Sequence, residues 1–400
     1  ARSEASTRRD SAEGPSLPGA HILLITVDAM RADRLGRTMQ RRPLTPHLDA
    51  LAAQGVVFAN AYAQAPHSSY SLSALHTGEY LHETIPLGQA QPLTTLADLL
   101  RDAGRHTAAL YTRGIFFTEA ERLTRYRDTD FGFTRAVHVD RDADAQAAAA
   151  IAEIDDLVRR SEPPSLLWVH FFDAHAPYQG RGNTPAAQYD HAVTRVDAAI
   201  GRVLDHARAV LARELIVAVS ADHGEEFGEH GGVYHGSTLY EEQVRVPLVI
   251  AVPGIAPQRV LAPVELVDVA PTLAALAGVP RAPTMRGRDL RAWMLSPPIP
   301  GDDTPPVFSA VNTRKMVRHG QWKLIADVTY GVDELYDLTA DPAERRNVTA
   351  RYPAQRDALR AELTAWLETL ADRGGGRGPI ARGRLGDRGA VPELAALARN

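Results

Sequence analysis

The chain is punctuated by short runs that are too apolar to sit half-exposed and too short to cross a membrane. HILLITVD (21–28), SLLWVHFF (165–172) and ELIVAVSADHG (214–224) read as strands, each with a core buried on both faces. Amphipathic helices alternate with them. TPHLDALAAQG (45–55) offers Thr45 as N-cap, Pro46 in its first turn and Gly55 as its stop. LTTLADLLRDAG (93–104), DAQAAAAIAEIDDLVRR (144–160) and YDHAVTRVDAAIGRVLDHARAVL (189–211) follow the same helical period. VVFANAYA, HTAALYT and VPLVIAVPG add strands, and VDVAPTLAALAG adds a helix. This alternation predicts an α/β fold: a mostly parallel sheet sandwiched by helices.

In such sheets ligands gather beyond the carboxyl ends of the strands. Asp28 closes the first strand and Asp222–His223 close a later one, nearly two hundred residues on. Two carboxylates and an imidazole on one rim form a donor set for a divalent cation such as Ca, Mg, Mn or Zn. A serine hydroxyl beside that cation would be activated as a nucleophile.

Composition narrows the chemistry. The 400 residues carry 44 Lys+Arg against 49 Asp+Glu, a formal charge of −5, which argues against a nucleic-acid partner. Cysteine is absent, so disulfides, thiolate metal sites and a cysteine nucleophile are excluded from this sequence. The only lysines are Lys315 and Lys323. No apolar run reaches the roughly 20 residues of a membrane helix.

The expected organisation is a polar leader over residues 1–19 and a catalytic domain over 20–300. After the proline-rich stretch PPIPGDDTPP, a C-terminal subdomain is expected over 305–372. RKMVRHGQWKLIAD and DELYDLTADPAE read as its antiparallel strands, and YPAQRDALRAELTAWLETL as its helix. RLGDRGAVPELAALARN, beyond RGGGRG, has the apolar period of a single helical repeat unit over 380–400.

Several segments in order carry a family resemblance. ITVDAMRADRLG, TPHLDALAAQGVVFANAYAQAP, SSYSLSALHTGEY, VSADHGEEFGEHGG and HGSTLYEEQVRVPLVI together resemble the sulfatase family of the alkaline phosphatase superfamily. MVRHGQWKLI and ELYDLTADPAERRNVT resemble that family's C-terminal subdomain, so the likeness spans about residues 20–370. The tail is similar to the start of a HEAT-type repeat, a surface that would serve a protein partner.

The resemblance implies an alkaline phosphatase-like fold with Asp28, Ser68, Asp222 and His223 as metal ligands. Its nucleophile lies ten residues before the glycine of a Thr-Gly pair, here Thr77–Gly78, which selects Ser68; Ser69 and Ser71 are its neighbours in register. The family converts a Cys or Ser in the pattern Cys/Ser-x-Pro-x-Arg to formylglycine. Here Tyr70 replaces the proline and Leu72 the arginine, so Ser68 is expected to remain serine. His175, in HFFDAHAPY, matches a histidine that contacts the substrate anion. His235 stands where the family usually has lysine. Two readings stay open: His175 and His235 as anion contacts and general acid, or Asp173, His175 and His235 holding a second metal.

Arg31 offers either a fork onto an ester anion or a salt bridge to Asp33. Glu225, Glu226, Glu229 and His230 read as a loop orienting Asp222 and His223. The two histidines of HGEEFGEHG are seven apart, which excludes a zinc-protease helix. The expected activity is metal-dependent hydrolysis of a sulfate or phosphate ester, small or linked to a glycan or lipid, outside the cytoplasm. The rival readings are a head-group transferase of the same superfamily and a catalytically silent interaction module.

Overall fold

Strand β1 (His21–Val27) is buried along its whole length, with Ile, Leu and Val serving both faces of one sheet. The structure is a computed structural model that describes residues 14–372, except 40, 85–92, 117–120, 122, 141, 161–162, 179, 212–213, 300 and 302–303. Most of the expected leader and the whole repeat unit over 380–400 lie outside the described residues.

Seven strands join β1: β2 (Val56–Phe58), β3 (His106–Tyr111), β4 (Arg135–His138), β5 (Ser165–Phe171), β6 (Leu215–Ala221), β7 (Leu248–Ala251) and β8 (Gln258–Val260). Their spatial order is β8-β2-β7-β6-β1-β5-β3-β4. All neighbours pair in parallel except those of β7, which runs antiparallel to both β6 and β2. The chain leaves β6 at its carboxyl end and stays on that rim through residues 222–247. β7 therefore enters the sheet from the same edge, with no crossover helix to reverse it.

Helices Pro46–Ala52, Ala143–Arg160 and Pro185–Val210 pack on one another in one layer. Ser68–Thr77, Leu96–Asp102 and Val269–Leu276 pack together in another. Thr95 caps its helix reciprocally with Asp98. Thr45 does not cap the first helix: its hydroxyl contacts the Arg34 carbonyl and Asp49 instead. That helix ends at Ala52, before Gly55. Gly55 serves strand packing, because a Cβ there would lie 3.0 Å from the Ile250 carbonyl oxygen.

A separate antiparallel sheet follows as four consecutive strands: β9 (Val307–Val311), β10 (Arg314–His319), β11 (Trp322–Asp327) and β12 (Val332–Asp337). Leu359, Leu363 and Trp366 of helix Pro353–Asp372 cover it, against Phe308, Val317 and Leu324. Both lysines tie this sheet to the preceding domain. Lys315 reaches Glu83 at 2.6 Å, and Lys323 bridges Glu241 at 3.0 Å and Glu344 at 2.9 Å, all largely buried. No helix among the described residues is long and apolar enough to cross a membrane.

Candidate active site

β1 and β6 are register neighbours, Val27 beside Ala221, so Asp28 and Asp222 emerge together at their carboxyl ends. The turn after β1 is tight: Ala29 takes φ +55° and donates its N–H to Asp222 Oδ1 at 3.0 Å. Asp222 Oδ1 also accepts the His223 N–H at 2.8 Å. Those bonds leave Oδ2 of Asp222 without a hydrogen-bond partner, and Oδ1 of Asp28 likewise. His223 Nδ1 donates to the Gly224 carbonyl at 2.8 Å, so Nε2 carries the lone pair. That Nε2 lies 3.5 Å from Asp222 Oδ2 and 4.0 Å from Asp28 Oδ1.

Among the described residues, Asp28, Asp222 and His223 are the one group of three whose donor atoms lie close enough to share a metal ion, all within 4.8 Å. The electrostatics fit a cation. Burial pushes Asp222 well above the usual carboxylate range, and the Asp28 charge adds to it. Burial also pushes Asp28 upward, but the facing imidazoles, His170 first and then His175 and His223, hold it below that range. Burial, joined by His235, keeps His223 neutral. Two desolvated carboxylates with outward orphan oxygens and a neutral imidazole nitrogen are a hard-to-borderline donor set, so the residues fit a divalent ion.

Ser68 is the first residue of helix Ser68–Thr77, a segment to which the sequence pattern assigns no element. The helix is buried on every side, so it shows no polar face to betray its period. Gly78 closes it in the left-handed conformation, φ +63°, which explains the Thr-Gly pair. Ser68 Oγ donates to Asp28 Oδ2 at 3.1 Å and lies 3.2 Å from His223 Nε2. Ser71 instead bonds the Ala65 carbonyl, and Ser69 Oγ is buried without a hydrogen bond. Leu72 is fully buried in the core, and Tyr70 packs edge-on against His82.

The histidines beside this group share one habit. His175 Nδ1 donates to the Ala176 carbonyl at 2.5 Å, and His235 Nδ1 donates to Glu225 at 2.9 Å. As in His223, Nε2 is left as the atom that can meet a ligand. The His235 ring lies 4.2 Å from that of His223 and 4.9 Å from that of His175. Burial opposes protonation of His235, but the Glu225 hydrogen bond and charge, with Asp28, raise its pKa above the ordinary value. Asp173 Oδ1 accepts the Ala143 N–H at the start of a helix, and Asp173, His175 and His235 do not bring three donor atoms within 4.8 Å of one another.

The fork of Arg31 is spent on Asp33, Glu229 and the Glu225 carbonyl, the structural alternative of the two. Glu226 and Glu229 bond backbone N–H groups within their own loop. Glu225 does more than the sequence suggested. It is buried and links His235 to the Tyr178 hydroxyl, 2.9 Å from its other oxygen. His67, the N-cap residue ahead of Ser68, also belongs to the cluster. Burial, with the charges of His235 and His82, lowers its pKa to about 4. Adjacency to Ser68 was the one sequence signal for it.

Residues 20–279 match the family model described as Sulfatase. The chain is 31% identical over 191 residues to choline-sulfatase of Rhizobium meliloti, a match covering 45% of this chain and 35% of that protein. It is 24% identical over 443 residues to the Delta 4,5-hexuronate-2-O-sulfatase of Bacteroides thetaiotaomicron, covering 88% of this chain and 89% of that one. The crystal structure of a phosphonate monoester hydrolase of Agrobacterium radiobacter shares the fold, with a TM-score of 0.68 at 18% identity, covering 89% of this chain and 96% of that one.

Proposed function

The chain belongs to the sulfatase family, and on that footing we propose that it hydrolyses sulfate or phosphate esters with Ser68 as an unmodified nucleophile beside one divalent cation. One observation carries the reading. Ser68 Oγ sits within reach of Asp28 and His223, whose group presents orphan buried oxygens to a shared point.

Asp28, Asp222 and His223 would hold a Ca, Mg, Mn or Zn ion. Such an ion supplies Lewis acidity, lowering the pKa of a nearby hydroxyl and offsetting charge on the ester. Ser68 contributes its position at a helix N-terminus, whose dipole favours the alkoxide. Its proton has acceptors at hand in Asp28 Oδ2 and His223 Nε2. Attack forms an Oγ–phosphorus or Oγ–sulfur bond and breaks the bond to the leaving oxygen. His235, favoured as the imidazolium by Glu225, donates a proton to that oxygen, and His175 contacts the equatorial oxygens. Water then releases the acid from Ser68 and restores the hydroxyl.

Tyr70 and Leu72 in place of the formylglycine signal favour phosphoesters over sulfate esters. The substrate class we propose is a glycan- or lipid-linked ester met outside the cytoplasm. The test is turnover of nitrophenyl phosphate, a nitrophenyl diester, a phosphonate ester and nitrophenyl sulfate, with and without chelator. Chelator-sensitive turnover that Ser68→Ala abolishes supports the reading; absence of turnover on all four contradicts it.

A further inference from the structure

Strand β5 opens on Ser165 and is otherwise apolar except for His170, which sits 1% exposed one residue before its carboxyl end. Its neighbour across the parallel ladder is Thr26 of β1, in direct register. Side chains two apart on a strand share a face, so Trp168 and His170 lie on one side of β5, as Thr26 and Asp28 lie along β1. The four meet. Trp168 Nε1 donates to Thr26 Oγ1 at 2.9 Å, Thr26 Oγ1 lies 2.8 Å from His170 Nδ1, and His170 Nε2 lies 3.6 Å from Asp28 Oδ2.

The direction of this chain follows from its two ends. His170 Nε2 faces the Asp28 carboxylate, which only accepts, so the His170 proton sits on Nε2. Nδ1 then accepts from Thr26 Oγ1, which in turn accepts from the Trp168 indole N–H. Ser68 Oγ and His170 Nε2 both approach Oδ2 of Asp28, which leaves Oδ1 as the oxygen turned to Asp222 and His223.

We propose that His170 is a positioning residue for Asp28: with its proton placed by Thr26, it turns Oδ1 of that carboxylate toward the cation. The inference rests on the reading of Asp28 as a cation ligand. A histidine kept only for packing would affect stability and leave cation affinity alone. A positioning partner of a metal-binding carboxylate changes affinity by about 10- to 100-fold.

The experiment is competition titration of Mn²⁺ against a chromophoric chelator, using the whole purified chain. His170→Phe fills the volume without an N–H donor, and it should bind Mn²⁺ about 10- to 100-fold more weakly. His170→Gln, whose amide keeps a donor near the Nε2 position, should recover most of the affinity. Thr26→Val should fall between, since it frees the imidazole to move its proton, and it guards against a folding defect of the bulkier change. Equal Mn²⁺ affinity in wild type, His170→Phe and Thr26→Val would overturn the proposal while leaving the cation site intact. Failure of the wild type itself to bind Mn²⁺ would overturn the cation reading and this inference with it.

Discussion

Ser68 Oγ donates to Asp28 Oδ2 at 3.1 Å, joining the first residue of one helix to the end of a strand 40 residues earlier. A hydroxyl this close to a desolvated carboxylate has somewhere to send its proton, and the charge it would gain lies at a helix N-terminus. Asp222 and His223 complete the arrangement from the neighbouring strand.

Burial, and after it the Asp28 charge, raise the pKa of Asp222, so the two carboxylates repel each other when both are ionised without a cation. Adding Mn²⁺, Ca²⁺ or Zn²⁺ should therefore raise the melting temperature. At 100 times the dissociation constant the gain is about 2.7 kcal/mol. Asp222→Asn should melt higher than the cation-free wild type, because it removes the repulsion and keeps an acceptor for the Ala29 and His223 N–H groups. It should lose the cation-induced shift. A full shift in Asp222→Asn, read by calorimetry, would exclude Asp222 as a ligand.

His235 takes its raised pKa from Glu225 against the pull of burial. Activity that needs the imidazolium is present below that pKa and lost as pH rises through it. Glu225→Gln keeps an acceptor for Nδ1 but removes the charge, so the alkaline limb of kcat should move to lower pH. His235→Ala should cost on the order of 10²-fold or more in kcat. An unmoved alkaline limb in Glu225→Gln would separate His235 from the proton transfer.

Lys315 and Glu83 form a buried bridge between the antiparallel sheet and the catalytic domain. Burial pushes Glu83 upward, yet Lys315 and a hydrogen bond with His82 lower it to about 2. A depressed carboxylate stabilises the fold fully above its ordinary value of 4.5 and loses that contribution as pH falls toward 2. The displacement corresponds to about 3 kcal/mol. Lys315→Met strands the charge and should cost about 3–5 kcal/mol at neutral pH. Urea titrations across a pH series check both, and equal stability of Lys315→Met and wild type at neutral pH would exclude the bridge as a structural tie.

The strands and their terminal acids were legible because burial on both faces leaves an unbroken apolar run with one polar residue at its end. That pattern located Asp28 and Asp222–His223 before any geometry. The helix bearing Ser68 was not legible as a helix, since its burial on all sides and four serines erase the amphipathic period. The direction of β7 was equally hidden: VPLVIAVPG reads alike in a parallel or antiparallel strand, and only the path of residues 222–247 decides it. His170 and Glu225 depend on register and loop closure, Thr26 against His170 and Glu225 against His235, which spacing along one chain does not encode. Composition carried further than expected. Both lysines are spent on buried structural pairs, so neither is available to the candidate site.

The most direct test of the central claim is peptide mass spectrometry of the Ser68 segment, before and after acid quench during turnover of a nitrophenyl ester. Before turnover the peptide should carry the mass of unmodified serine, and after the quench a fraction should gain one phosphoryl or sulfuryl group localised to Ser68. A resting peptide lighter by two hydrogens, or an adduct on another residue, would contradict the account.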